Sequence, residues 1–184
     1  MKNILVINGH QKYPFAEGRL NQTLFENMVE FLSEKYELKT TVLEKGYIVE
    51  EEQDKYAWAD GIIFQTPIFW YSIPGLFKTY IDKVYQHGKF FDAAAHGYGT
   101  GGMFTDKKYM YSLTMNTSKE NFDNKCSFLE GKSLDDFFIH LHKMQQYCGM
   151  KPLKTFAVYD VVKNPQVLLY LEDLQKHVQD VFKV

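Results

Sequence analysis

The residues whose types are best suited to ligand chemistry lie in three short segments, and the first of these spans the start of a helical pattern. Its members are Ala16, Glu17, Gly18, Arg19, Leu20, Asn21, Gln22 and Thr23. The first amides of a helix lack partners and lie at the positive end of its dipole, so such a segment can bind phosphate. Asn21 and Thr23 would add side-chain donors. Both residue types are also ordinary helix caps, so this segment taken alone leaves both interpretations open.

The second segment places three aromatic residues in a row after a strand-like run. It reads Pro67, Ile68, Phe69, Trp70 and Tyr71. Consecutive aromatics on an irregular segment cannot all face one core, so we expect at least one to be exposed. A flat aromatic surface suits a planar ring, and each stack contributes about 0.5–1.5 kcal/mol beyond area burial. For any single ring, packing against a neighbouring subunit or the following helix is an equal alternative.

The third segment, Thr114, Met115, Asn116 and Thr117, offers short polar side chains and backbone amides. Amides directed at a ring edge that gains negative charge on reduction would stabilise the reduced ring. Standing alone, the segment would be interpreted as a polar turn. The glycine-rich stretch around Tyr98 is more typical of a flexible loop than of a phosphate-binding loop.

These segments are positioned by an alternating series of strands and helices. Apolar or β-branched runs predict five strands, at residues 4–7, 38–43, 61–66, 109–114 and 155–159. Helical patterns begin near Leu20, Pro74, Ser133 and Asn164. Such alternation predicts an α/β fold with a parallel sheet covered on both faces. Ligands bind these sheets outside the carboxyl ends of the strands, where the winding reverses, which is where the three segments begin.

Length and composition limit the function classes. The 184 residues suit one domain spanning residues 1–184, and 45% hydrophobic residues exclude intrinsic disorder. A net charge of −2 is too even for a nucleic-acid-binding protein. No apolar stretch reaches the roughly 18 to 20 residues of a membrane span, and no signal peptide is evident, so we expect a cytoplasmic protein.

Motifs of several enzyme classes are absent from the sequence. No G-x-G-x-x-G follows the first predicted strand, which argues against a Rossmann dinucleotide site, and the sequence has no Walker-type phosphate loop, no G-x-S-x-G and no H-E-x-x-H. Cys126 and Cys148 form no C-x-x-C, so neither a metal site nor a disulfide framework is predicted. With no paired base and nucleophile, we name no catalytic residue and expect a cofactor to carry the reactive group.

Taken together, these and other segments resemble the flavodoxin-fold NAD(P)H:quinone oxidoreductases, and most closely the branch called modulator of drug activity B. The resemblance runs nearly end to end. Besides the segments above, it includes Asn3 to Gly9, Trp58 to Asp60, Tyr80 to Asp82, Tyr98 to Gly102, Lys107 to Met110, Ser112 to Thr114, and Gly149 to Phe156 with gaps.

The resemblance implies a five-stranded parallel sheet in the flavodoxin-like order 2-1-3-4-5. It further implies noncovalent FAD, a homodimer, and ping-pong transfer of a hydride from NADPH or NADH to flavin N5, followed by two electrons to a quinone. The segment Ala16–Thr23 would hold the pyrophosphate and ribityl groups, and Pro67 with Ile68–Tyr71 would line the isoalloxazine. Tyr98 and Thr114–Thr117 would complete the flavin site. No proton donor is implied.

Two departures from the family bear on acceptor choice. The segment between Tyr85 and Tyr98 is short, and the aromatic segment lacks the Gly-Trp-Trp pattern of close relatives. Two alternatives share the fold: an FMN-dependent azo- or nitroreductase, and a flavoprotein regulatory subunit of a cation-efflux system.

Overall fold

The computed structural model describes residues 1–94 and 96–183. Its sheet is parallel, in the order β2-β1-β3-β4-β5, with a further strand, β6, that also pairs with β4. This is the predicted flavodoxin-like order. The strands are β1 (Asn3–Asn8), β2 (Glu37–Val42), β3 (Gly61–Pro67), β4 (Lys108–Thr114), β5 (Lys151–Pro152) and β6 (Phe156–Val158).

Helices cover both faces of the sheet, since alternate residues of β1 belong to two separate cores. Ile4 and Val6 pack in one core with α1 and α6, and Leu5 and Ile7 pack in the other with α2, α3 and α5. The helices are α1 (Arg19–Ser33), α2 (Val49–Trp58), α3 (Gly75–Val84), α4 (Leu134–Phe137), α5 (Ile139–Tyr147) and α6 (Val167–Phe182). None of the described helices combines the length and apolarity needed to cross a bilayer.

Three details differ from the sequence-based expectation. The predicted fifth strand, at residues 155–159, corresponds to β6, and an additional short strand, β5, precedes it; β5 and β6 pair with opposite ends of β4. The helix expected from Ser133 is interrupted at Phe138, although Ser133 caps its start by accepting a hydrogen bond from Asp136 N at 3.2 Å. The last helix begins at Val167 rather than at Asn164.

The strand register brings the three predicted segments to one edge of the sheet. Asn8 of β1 lies opposite Gln65 of β3, and Pro67 lies opposite Thr114 of β4. Gly9 N donates to Gln65 O at 2.9 Å and Ile68 N donates to Thr114 O at 2.8 Å, which extends the pairing beyond the strands. The chain therefore leaves β1, β3 and β4 side by side.

Candidate functional site

A cavity of about 380 Å³ lies at this edge, and we call it the main cleft. It is lined by residues from all three predicted segments together with four others. The lining comprises His10, Phe15, Ala16, Gly18, Arg19, Leu20, Asn21, Pro67, Ile68, Phe69, Thr114, Met115, Asn116, Val161 and Val162.

Two further cavities adjoin the main cleft. The outer cavity, about 410 Å³, shares Ile68, Met115 and Asn116 with it and is also lined by Trp70, Tyr71, Thr117, Ser118, Asn121, Phe128, Leu129 and Lys163. The β2-side cavity, about 220 Å³, shares His10, Gly18 and Arg19 with it and is also lined by Asn8, Glu17, Gln22, Val42 and Glu44. The site is therefore elongated, with the start of α1 between the main cleft and the β2-side cavity.

Gly18 shapes the start of α1. Its φ of 78° is left-handed, and a Cβ placed on it would lie 2.3 Å from Cε1 of His10. Both features require glycine. No side chain caps α1, so its first amides are available to an external acceptor.

His10 is one of the residues of the main cleft that sequence reasoning missed. It is 6% exposed, and Nδ1 lies 3.7 Å from a carboxylate oxygen of Glu44. Its Nε2 atom is buried with no hydrogen-bond partner among the described residues. Buried polar atoms without a hydrogen-bond partner are rare in folded proteins and call for an explanation. An anionic ligand at the start of α1 provides one. The available signal was a histidine two residues beyond the apolar run of β1.

The side chain of Asn21, which was predicted to bind phosphate, instead forms hydrogen bonds within the protein. Its Nδ2 donates to Asn8 Oδ1 at 2.8 Å, and its Oδ1 accepts from Gln65 Nε2 at 2.9 Å. Ser112 Oγ extends the network by donating to Gln65 Oε1 at 2.6 Å. This buried network fixes the start of α1 relative to β1, β3 and β4.

The other polar side chains of the first segment are also engaged within the protein. Arg19 Nε donates to Glu17 Oε2 at 2.7 Å, and this bond lowers the pKa of the Glu17 carboxyl. Gln22 accepts from Asn8 Nδ2 at 2.7 Å, and Thr23 Oγ1 donates to Arg19 O at 3.0 Å. Thr23 lines none of the three cavities. The backbone amides of α1, rather than these side chains, are its available donors.

The aromatic segment forms a tight turn. Phe69 N donates to Ser72 O at 2.8 Å, and Ser72 N donates to Phe69 O at 3.0 Å. The two central residues, Trp70 and Tyr71, have φ values of 48° and 60°. Bulky residues rarely adopt this left-handed conformation, which costs roughly 1–2 kcal/mol per residue. The turn is therefore strained at the residues that line the outer cavity.

The three rings of this turn point in different directions. Phe69 packs edge-on against Tyr13 and Phe15, at centroid distances of 5.3 and 6.3 Å. Tyr71 packs against the loop after β4. Trp70 is 96% exposed, as expected for at least one of the three. Phe15, which sequence reasoning missed, adds a second aromatic residue to the wall of the main cleft.

The loop after β4 is fastened to the loop after β6. Asn116 Oδ1 accepts from Val162 N at 3.2 Å and from Lys163 N at 3.3 Å. Met115 N donates to Val158 O at 3.0 Å. The polar edge formed by Asn116 and Thr117 is thus held in place against the main cleft and the outer cavity.

The structure does not bring Tyr98 to the main cleft. Tyr98 is 94% exposed and contacts Tyr147 at a centroid distance of 5.6 Å. It lines a separate cavity of about 880 Å³ with residues of α3, of the loop after α3 and of α5, among them Ile81, Tyr85, Phe91, Met144 and Tyr147. Within one chain, Tyr98 therefore does not complete the site formed by the other predicted residues.

Known proteins resemble this chain in sequence and in structure. The NADPH:quinone oxidoreductase MdaB of Haemophilus influenzae is 40% identical over 190 residues, covering 98% of this chain and 99% of the relative. The NADPH-quinone reductase of P. pentosaceus superposes with a TM-score of 0.68 at 21% identity, covering 100% of this chain and 99% of the other.

A third similar structure is the general stress protein 14 of Treponema denticola in complex with FMN. It has a TM-score of 0.70 at 14% identity, and the match covers 100% of this chain and 97% of the other. The sequence model of a family described as having a flavodoxin-like fold matches residues 2–180. The chain belongs to this flavodoxin-like family.

Proposed function

We propose that this protein is an FAD-dependent NAD(P)H:quinone oxidoreductase. The observation that carries the proposal is the orphaned Nε2 of His10 beside the uncapped start of α1, at one end of a cleft with an aromatic wall. This arrangement suits a ligand that combines an anionic phosphate with a planar ring. The name of the 40% identical relative supports NADPH as donor and a quinone as acceptor.

The cavity on the far side of Gly18 favours FAD over FMN. In FMN the phosphate is the end of the molecule, whereas in FAD an adenylate group continues beyond it. The β2-side cavity offers about 220 Å³ in that direction. The FMN-bound similar structure keeps an FMN-dependent azo- or nitroreductase as the alternative.

Bound flavin would supply the redox chemistry, accepting a hydride from NADPH or NADH and then reducing the acceptor by two electrons in a ping-pong sequence. The protein would bind, orient and shield it. Amides of α1 and His10 would hold the phosphates. Ile68 and Phe69 would form a wall beside the ring, and Asn116 and Thr117 would face its polar edge.

We further propose that Tyr98 contributes to the site of a second copy of the chain. Tyr98 and Tyr147 are exposed aromatic residues beside a cavity of about 880 Å³, and clustered exposed aromatic residues often mark an interaction surface. A homodimer that buries this surface would bring Tyr98 towards a partner's cleft. This would account for its position away from the other predicted site residues.

Steady-state kinetics test the proposed activity. NADPH oxidation is followed with menadione, with and without added FAD, while both substrates are varied. We expect FAD-dependent turnover and parallel double-reciprocal lines. Turnover supported by FMN but not FAD would favour the azo- or nitroreductase alternative. Absence of turnover, with co-purification of a membrane channel, would favour the regulatory-subunit alternative.

A further inference from the structure

The outer cavity has the features of a second ligand site beside the main cleft. Its volume of about 410 Å³ lies within the range of small-molecule pockets. It shares Ile68 and Asn116 with the main cleft, so a molecule bound there would lie next to whatever the cleft holds. The inference that follows rests on the function proposed above.

One wall of the outer cavity is a stacked aromatic pair. Tyr71 and Phe128 have ring centroids 6.0 Å apart and an interplanar angle of 29°. Phe128 is 77% exposed, although its neighbour Leu129 is 3% exposed and Phe122 is 8% exposed. The two buried residues anchor the loop that carries Phe128. An exposed ring on an anchored loop is available to stack with a planar ligand.

The rim of the outer cavity carries a positive charge. Among the described residues that line the outer cavity, Lys163 alone is charged. It forms no salt bridge with any described residue. Its backbone amide donates to Asn116 Oδ1 at 3.3 Å, which fixes the main chain at the rim. Asn121 Nδ2 donates to Ser118 Oγ at 2.8 Å, and both residues also line the outer cavity.

We propose that the outer cavity binds the electron acceptor and that Lys163 makes it selective for planar aromatic acceptors with an anionic substituent. The Tyr71 and Phe128 rings would bind the planar part of the acceptor. The Lys163 ammonium would attract a sulfonate or carboxylate at the rim. A neutral quinone would gain the stacking without the charge interaction, so Lys163 is a specificity-determining residue.

The size of the effect follows from the position of the charge. Lys163 is exposed, so solvent and salt screen its attraction for an anionic group and limit the gain to a modest factor. We therefore expect about a tenfold preference that depends on Lys163 and weakens as salt is added.

The test compares Lys163→Gln with Lys176→Gln, a matched control at an exposed position of α6. Each FAD-loaded enzyme is assayed with 1,4-naphthoquinone and with its 2-sulfonate. For Lys163→Gln we expect the sulfonate-to-neutral ratio of kcat/KM to fall about tenfold, mainly through KM for the sulfonate. The control should retain the wild-type ratio. Naphthalene-2-sulfonate, which cannot be reduced, should inhibit Lys163→Gln more weakly than wild type.

Other outcomes would overturn the proposal. An unchanged ratio, or the same change in both variants, would remove the selective role of Lys163. A weaker affinity of Lys163→Gln for FAD, measured by flavin fluorescence, would assign Lys163 to the cofactor, and a larger effect on KM for NADPH would assign it to the donor. If wild type binds FAD but reduces neither quinone, the proposed function fails as well. If it reduces both and only the ratio is unaffected, the selectivity alone fails.

Phe128→Leu tests the aromatic wall separately. Loss of the ring should raise KM several-fold for both quinones, because each loses the same stacking, and should leave their ratio unchanged. No change in either KM would contradict acceptor binding in the outer cavity.

Discussion

At the scale of the residue, His10 connects the fold to ligand binding. Replacing His10 with leucine removes the buried Nε2 atom that lacks a partner. We expect the affinity for FAD to fall about 10- to 100-fold, since hydrogen bonds to charged groups contribute roughly 1.5–3 kcal/mol. Titration of the apoprotein with FAD, followed by flavin fluorescence, measures the change.

The stability of the same variant provides the control. An apolar side chain in place of an unsatisfied polar group should leave the apoprotein equally stable or more stable in urea unfolding. His10→Gln, which retains a side-chain amide donor, should recover part of the FAD affinity. A variant that unfolds more readily and binds FAD normally would show that His10 is structural.

Single residues also mark where sequence-based prediction of the site was limited. The segment Ala16–Thr23 was identified from its place before a helix, and most of it lines the cavities. The orientation of Asn21 could not be predicted, because its partners Asn8 and Gln65 lie in two different strands. The role of a polar side chain depends on which tertiary partner it meets.

At the scale of the element, the turn after β3 is destabilised by the left-handed backbone of Trp70 and Tyr71, and it exposes the Trp70 ring. Asparagine adopts a left-handed backbone more readily than tryptophan, and the Trp70 side chain is 96% exposed. We therefore expect Trp70→Asn to raise the free energy of unfolding by about 1 kcal/mol, or Tm by about 2–4 °C. Quinone reduction should fall at the same time, because a ring beside the site is lost. Calorimetry and NADPH oxidation measure the two effects.

Trp70→Phe separates the ring from the strain. It keeps an aromatic side chain in the same backbone conformation, so stability should stay at the wild-type value and most activity should be retained. If Trp70→Asn were less stable than wild type and fully active, the backbone strain and the contribution of the Trp70 ring to quinone reduction would both be contradicted.

Helix α2 was not identified from the sequence, and its buried residues give the physical reason. In α2 the buried residues are Glu52, Gln53 and Tyr56, so no apolar stripe indicated a helix. Glu52 is buried because Thr41 and Tyr80 donate hydrogen bonds to its carboxylate. Apolar runs predicted the buried strands β1, β3 and β4, because apolar side chains are buried without such partners. Polar residues that are buried through tertiary hydrogen bonds produce no apolar pattern in the local sequence.

At the scale of the whole molecule, the position of Tyr98 bears on oligomeric state. We expect sedimentation to give twice the chain mass of 21.6 kDa. Tyr98→Ser should shift the equilibrium towards the monomer at micromolar concentration, because it removes an exposed aromatic residue from the proposed interface. Quinone reduction should fall with dissociation. Leu168→Ser, at a 79% exposed position of α6, is the matched control and should remain dimeric.

A monomer at all concentrations, with full activity, would contradict the proposed dimer.

The role of Tyr98 illustrates a limit on prediction from one chain. The parallel sheet and the edge that carries the cleft follow from local patterns and winding rules, whereas the strand order was implied by the family resemblance. A contribution to a neighbouring copy depends on a surface that local patterns do not describe.

Titration of the apoprotein with FAD and with FMN tests the central claim most directly. The account predicts one flavin bound per chain, with a perturbed visible spectrum and tighter binding of FAD than of FMN. Absence of binding by either flavin at micromolar concentrations would contradict it.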